Sequence, residues 1–226
     1  MKKIIIAVLV LAISIPAMSQ GSGIRLNAYG SYVFDDKVDS YFDQNNFYEG
    51  KVKAGFQWGA GIEFMIRPQY GIELQYLRED TKANLKTAKY PLQYKDFDLA
   101  LNYIMLNGTR YFRKPGGKVE GFAGMGLGVG IFNAEDPTDG KSSNLTKFSW
   151  QIRGGAVIWA SENVGLKLQV QLQSAVQSIG GGLYVGTGGV GGGVSSYSSI
   201  YQFGLGGGLV FKLPGQSGTK SAATRN

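Results

Sequence analysis

At 226 residues with a formal net charge of +7, 35 glycines and neither cysteine nor histidine, the chain rules out several chemistries at once. Without Cys it holds no disulfide, no Cys-based metal site and no lipoprotein acyl anchor, and without His it lacks Ser-His-Asp triads, His-paired nucleophiles and His metal sites. Lys and Arg are spread along the chain and form no nucleic-acid-type block, so the positive excess suits anionic headgroups or phosphorylated glycolipid, or solubility alone.

Lys2 and Lys3 precede an apolar or small run from Ile4 to Ile15, and Pro16-Ala17-Met18-Ser19 offers a small-x-small cleavage site before Gln20. This is the layout of a secretory signal peptide over residues 1–19, and the run is too short for a spanning helix. An N-terminal anchor helix is the rival reading. Removing Lys2 and Lys3 would leave a charge of +5. No later segment is long and apolar enough for a transmembrane helix, but a barrel strand alternates and never forms such a run.

Period-two alternation then recurs eight times. In Ile24 to Phe34, Ile24, Leu26, Ala28, Tyr32 and Phe34 share one face, opposite Arg25, Asn27, Tyr29 and Ser31. The second run puts Val52, Ala54, Phe56, Trp58, Ala60, Ile62, Phe64 and Ile66 opposite Lys51, Gln57, Glu63 and Arg67. The third, the shortest, sets Tyr70, Ile72, Leu74 and Tyr76 against Glu73 and Gln75. The fourth sets Phe97, Leu99, Leu101, Tyr103 and Met105 against Asp96, Asp98, Ala100 and Asn102, although Ile104 and Leu106 fall on the polar side. In the fifth, Val119, Ala123, Met125, Leu127, Val129 and Ile131 oppose Glu120 and four glycines, with Phe122 out of pattern. The sixth has Phe148, Trp150, Ile152, Ala156 and Ile158 opposite Lys147, Ser149, Gln151 and Arg153. The seventh has Val164, Leu166, Leu168, Val170 and Leu172 opposite Lys167, Gln169, Gln171 and Gln173. In the eighth, Tyr197, Tyr201, Phe203, Leu205, Leu209 and Phe211 oppose Ser198, Gln202, three glycines and Lys212.

The connections alternate in length. Short turns are expected at Arg67-Pro68-Gln69, Arg113 to Gly117 and Ala160 to Asn163; long polar loops at Asp35–Gly50, Asp80–Tyr94, Asn133–Thr146 and Ser178–Ser196. Aromatic residues gather at both levels on the apolar faces. Phe64, Tyr70, Tyr111 and Phe211 lie near the short turns; Tyr32, Phe34, Phe97, Phe148, Trp150 and Tyr197 lie near the long loops. The polar face carries Arg25, Glu63, Glu73, Asp98, Glu120, Arg153 and Lys167 with signs mixed. Such charges can pair inside a barrel and are costly against lipid. A soluble lipocalin-like barrel would reverse this arrangement. The expected fold is all-β: an eight-stranded antiparallel up-and-down transmembrane β-barrel over residues 20–213, behind a cleaved signal peptide. A tail, 214–226, with a disordered composition follows.

Gly59-Ala60-Gly61-Ile62-Glu63-Phe64, Tyr70-Gly71-Ile72-Glu73-Leu74 and Gly204 to Phe211 give the chain a pattern that resembles the bacterial outer-membrane protein β-barrel domain family, the small OmpA-type barrels, over about residues 22 to 213. The resemblance implies integral residence in the outer membrane of a Gram-negative cell. It also implies insertion by the outer-membrane assembly machinery, which reads a final strand ending in an aromatic residue such as Phe211. The chain departs from the family pattern in continuing past that residue, and its tail is too short for a peptidoglycan-binding domain.

Catalytic, cofactor and metal signals are weak. Glu63 and Glu73 could do acid/base work, but a salt-bridge lattice with Arg25, Arg153 or Lys167 is the preferred reading. Gly186-Thr187-Gly188-Gly189-Val190-Gly191 matches a dinucleotide fingerprint in letters but lacks its strand-to-helix context. Asn144-Leu145-Thr146 is a glycosylation sequon in letters only. Asp35, Asp36, Asp39, Asp43 and Glu49 lack metal-loop spacing. Lys82, Lys86, Lys89 and Lys95 could meet lipopolysaccharide phosphates. No catalytic, cofactor or metal residue is therefore assigned. The expected role is non-enzymatic, structural or surface-interacting through the long loops. The expected partners are outer-membrane lipid and lipopolysaccharide, the assembly machinery, an external loop partner that the sequence does not identify, and no nucleic acid. A narrow solute channel, suggested by the glycine-rich fifth and eighth runs, is the alternative, and an envelope-modifying enzyme ranks below it.

Overall fold

The computed structural model describes residues 23–41, 47–87, 93–135, 137, 140, 142–176, 182–186, 189–193 and 200–213. The expected signal peptide, the tail and Tyr197 lie outside them. Twelve strands are present among the described residues: β1 (Ile24–Val33), β2 (Asp36–Tyr41), β3 (Phe47–Val52), β4 (Gly55–Arg67), β5 (Tyr70–Thr87), β6 (Gln93–Arg113), β7 (Val119–Glu135), β8 (Ser142–Trp159), β9 (Val164–Val176), β10 (Gly182–Gly186), β11 (Gly189–Gly193) and β12 (Ile200–Leu213).

Eight of these form the barrel. β1, β4, β5, β6, β7, β8, β9 and β12 pair antiparallel in that order, and β12 returns to β1 from Ile24↔Leu213 to Val33↔Gly204. The ring has no free edge. The short turns fall where expected. In the β6–β7 turn, Gly117 N–H donates to the Lys114 carbonyl at 3.0 Å. Pro115 and Gly116 occupy the two central positions, and Gly116 has φ +74°, which fits the Pro-Gly preference of a type II turn.

The opposite end differs from the expected loops, because much of it is strand. β5 and β6 pair without interruption from Tyr70↔Arg110 to Thr87↔Gln93. β6 has 21 residues, roughly 70 Å of extended chain, whereas a tilted membrane crossing takes about 9–11 residues. β5, β6, β7 and β8 therefore rise as a wall above the ten-residue β1. The β2–β3 hairpin extends this wall by pairing β3 with β5. β10 and β11 pair antiparallel as a separate two-stranded sheet, which puts Gly186 and Gly189 to Gly191 of the fingerprint-like glycine run in strand.

The outer wall shows where lipid ends. On β5, outward Ile72, Leu74 and Tyr76 give way to Arg78, Asp80 and Lys82. On β6, outward Leu106 and Ile104 give way to Asn102, Asp98 and Asp96. On β7, Leu127 and Val129 precede Asn133 and Glu135. Trp58 packs edge-to-face on Tyr76, and Trp150 on Tyr201, along this line, where amphipathic rings are most stable. Tyr76 Oη also donates to Asn102 Oδ1 at 2.8 Å.

Above that line the polarity rule reverses, because the outside is water. This corrects the reading of the fourth run. Phe97, Leu99, Leu101, Tyr103 and Met105 point into the barrel and are buried, whereas Asp98 is exposed on the outer wall beside Lys82, at 3.5 Å. Asp98 is not part of the interior lattice. Phe97 and Tyr111, assigned to the aromatic belts, are both 1% exposed and lie inside. Val52 also turns inward. Between Gln57↔Glu79 and Val52↔Ala83 the β3–β4 segment has one residue more than β5, a bulge at Lys53-Ala54 that switches the facing of the residues beyond it.

Single cysteines introduced into this cysteine-free chain test the corrected facing. Asp98→Cys should react with a membrane-impermeant maleimide, Leu106→Cys with a lipid-soluble one only, and Met105→Cys with neither. Labelling of Met105→Cys from lipid would restore the opposite parity.

Candidate functional site

The lumen is the only place where several charged groups are buried together among the described residues, and alternation puts them there. Arg25, Glu63, Glu73, Glu120, Arg153 and Lys167 all lie inside. They form two clusters stacked along the axis.

The central cluster is built on Glu73 of β5. Arg153 Nη2 of β8 reaches Glu73 Oε2 at 2.5 Å, and both side chains are fully buried. Asn27 Nδ2 donates to Glu73 Oε1 at 2.8 Å and Tyr29 Oη donates to the same oxygen at 2.5 Å. Tyr29 Oη in turn accepts from Arg153 Nη1 at 3.1 Å and Lys167 Nζ at 3.2 Å, which uses one phenolic proton and two lone pairs. Thr109 Oγ1 takes a further Arg153 proton at 2.9 Å. β5 and β8 are not neighbours in the ring, so this pair crosses the lumen.

The second cluster lies toward the short turns. Arg25 Nη1 and Nη2 meet the two oxygens of Glu120 at 3.1 and 3.4 Å, and Trp159 Nε1 donates to Glu120 Oε2 at 3.2 Å. The Arg25 guanidinium also stacks on Tyr111, 4.3 Å from the ring centroid, a contact worth more once desolvated. Tyr111 Oη is shared between both Glu63 oxygens at 2.8 and 2.7 Å.

Glu63 and Glu73 sit directly opposite one another in the β4–β5 register, an arrangement of like charges that destabilises a sheet pair. Glycines relieve it. Glu63 leans over Gly71 and Glu73 over Gly61, and a Cβ at either glycine would overlap the carboxylate. The two acids are thereby held by different partners, Tyr111 and Arg153, and not as an acid/base couple.

Above the charges lies a layer of amides. Gln171 Nε2 donates to Gln57 Oε1 at 2.7 Å, Gln169 Nε2 to Gln171 Oε1 at 2.9 Å, and Asn107 Nδ2 to Gln75 Oε1 at 3.0 Å. Higher still, Tyr103, Leu77, Leu101, Met105 and Phe132 form an apolar cap. Gln202 links the two layers, accepting from Tyr103 Oη at 2.6 Å and donating to Glu79 at 2.8 Å. The inner glycines of β7 do not thin the lining. A Cβ at Gly126 would overlap the Asn107 side chain, and one at Gly130 would crowd Phe132 and Ser149. The space they free is filled by neighbouring side chains.

Thr109 and Trp159 take part in these clusters without having been singled out in the sequence, and Tyr111 was expected in the outer aromatic belt. They lie beyond the ends of the clean alternation, and only their continued parity along β6 and β8 points to the lumen. Elsewhere, Asp35 pairs with Lys51, and Asp36 accepts from the Tyr201 amide at 2.7 Å. These two acids therefore serve the rim. The side chains of Asp39, Asp43, Glu49, Lys86, Lys89 and Lys95 lie outside the described residues.

No family model matches the sequence, and no curated protein matches it. Solved structures do match the fold. Neisserial surface protein A superposes with a TM-score of 0.57 at 15% identity, covering 86% of this chain and 100% of that one. The outer membrane protein OprG from Pseudomonas aeruginosa gives 0.55 at 11% identity, covering 86% and 97%. The outer membrane protease OmpT from Escherichia coli gives 0.50 at 8% identity, covering 84% and 97%. These neighbours are bacterial outer-membrane proteins, and the chain has the closed antiparallel eight-stranded fold of the small outer-membrane barrels.

Breaking the central pair from one side should cost more than removing it. Arg153→Met alone leaves a buried carboxylate short of its main partner and should lower unfolding stability by about 3–5 kcal/mol. Arg153→Met with Glu73→Gln should recover part of that loss. Urea titration of the folded barrel, followed by gel migration, measures both. Additive losses would show that the two groups do not interact.

Proposed function

We propose that the protein is a non-enzymatic barrel integral to the outer membrane, with its short turns in the periplasm, and that it acts through the raised wall and its loops on envelope glycolipid or an external partner. The observation that carries this reading is the Arg153–Glu73 pair, which spans the lumen at mid-height. An eight-stranded ring is just wide enough for side chains to fill it, and here the charged, amide and apolar layers occupy successive levels. That filling supports a role at the rim rather than in the interior.

The outward charges of the wall support the same reading. Arg78, Lys82, Asp80 and Asp98 stand immediately above the lipid boundary on β5 and β6, at the depth of phosphorylated sugar headgroups. Arg78 and Asp80 pair at 2.7 Å and Lys82 and Asp98 at 3.5 Å, so the surface offers both signs to a partner. Phe211 faces outward near the short-turn end of β12, where the assembly machinery would read it. One fold neighbour is a protease, but fold alone does not transfer chemistry, and this chain has no histidine to move a proton.

The test has two parts. Folded protein in a planar bilayer should give no stable conductance, and steady openings would favour the solute-channel reading. Replacing residues 80–99 by a short turn should leave heat-modifiable migration intact but abolish retention on lipopolysaccharide-containing vesicles. Unchanged retention, together with unchanged envelope permeability in cells, would remove the surface role.

A further inference from the structure

The short-turn mouth of the barrel contains a cavity that neither closure of the lumen nor anchoring in lipid requires. Its volume is about 440 Å³, and Arg25, Arg113, Lys114 and Lys212 line it together with Glu120. Among the described residues Glu120 is the only carboxylate in the lining, and it is already engaged by Arg25 and by the Trp159 indole. Arg113 spends one proton on the Gly117 carbonyl at 2.9 Å. Lys212 lies over the Trp159 ring, 3.7 Å from its centroid. Among the described residues none of Arg113, Lys114 and Lys212 has an ion-pair partner. Three cations without an ion-pair partner among the described residues therefore surround one concavity, and their repulsion is relieved when an oxyanion enters.

Geometry restricts the kind of anion. The cavity is floored by inner-wall residues such as Met65 and Tyr111, rimmed by Pro68, Gln69 and Lys114 to Gly116 of the turns, and edged by Ile24 and Leu213, which places its opening at the short-turn end of the barrel, where a water-borne anion can reach it. Residues 214–226, which follow Leu213, carry Lys220 and Arg225 and no acidic side chain, so no side chain of theirs supplies a counter-charge. We propose that this mouth is a binding site for a water-borne anion bearing two or more oxyanion groups, a polycarboxylate or a pyrophosphate-like group, gripped by Arg113, Lys114 and Lys212 beneath the Arg25–Glu120 pair.

Calorimetric titration of the full-length folded barrel, in a neutral maltoside detergent, with pyrophosphate and separately with citrate tests the site. Saturable one-to-one binding of at least one probe is expected. Lys114→Gln with Lys212→Gln should weaken it at least tenfold, whereas Lys53→Gln at the opposite end of the barrel should leave it unchanged. Heat-modifiable migration confirms that each variant is folded, and the wild-type titration stands even if the double variant is not. The absence of saturable binding by wild type at millimolar probe, or equal affinity in the folded double variant, would overturn the proposal. Displacement of the probe by phosphatidylglycerol bicelles would assign the cations to lipid headgroups and overturn the water-borne reading.

Discussion

Every backbone N–H and C=O of a strand that crosses lipid must find its partner on the next strand, because hydrocarbon offers none. For β-structure only a closed ring meets that demand, and the ring here closes where β12 returns to β1 from Ile24↔Leu213 to Val33↔Gly204. Closure then forces a choice at each residue between lipid and lumen. Within the membrane that choice separates Ile62, Leu74, Leu106, Leu127 and Leu168 on the outside from Glu63, Glu73, Asn107, Arg153 and Lys167 on the inside. The polar groups have no water-facing alternative at that depth. They must satisfy one another, and the cross-lumen clusters are the result.

The same parity imposes a conflict that the structure has to resolve. Antiparallel register places Glu63 against Glu73, and both must point inward. Glycine on the opposing strand at each carboxylate lets the two chains splay in opposite directions, one toward Tyr111 and one toward Arg153. Glycine abundance in this barrel is thus a packing requirement of long inward side chains. Read as composition alone, it suggested a thin wall and a pore. Read with the neighbours of Gly61, Gly71, Gly126 and Gly130 in place, it describes a filled interior.

Most of the ring was legible from alternation, because lipid outside and polar groups inside give each crossing strand two distinct faces. The short turns were legible from Pro, Gly and Asn. The fourth strand misled for a physical reason. Asp96 and Asp98 belong to the part of β6 that stands in water, where polar residues face outward and Phe97, Leu99 and Leu101 face an apolar cap. Extending that facing down the strand inverted everything below it, and Ile104 and Leu106 were the residues that disagreed. Six of the seven proposed interior charges sit on strands that were phased within the membrane; Asp98 was phased above it. The height of the wall was hidden for a related reason. β5 beyond Tyr76 and β6 before Asn102 carry charges on the outside, which reads as loop when lipid is assumed to be there.

The polarity reversal also bears on what the barrel can do. Below the Trp58–Tyr76 and Trp150–Tyr201 contacts, side chains are constrained on both sides: the outer ones by lipid, the inner ones by mutual pairing. Changing a residue there means changing its partners as well. Above those contacts the inner face of β5 to β8 is mainly apolar, with Glu79 held by Gln202, and their outer face is free to vary without disturbing the ring. At the opposite end, the turns between strands are similarly unconstrained, yet Arg113, Lys114 and Lys212 converge there on one concavity. On the proposed reading, a middle filled by side chains that bridge the lumen would let two chemically distinct ends bind partners without being coupled to one another through a pore.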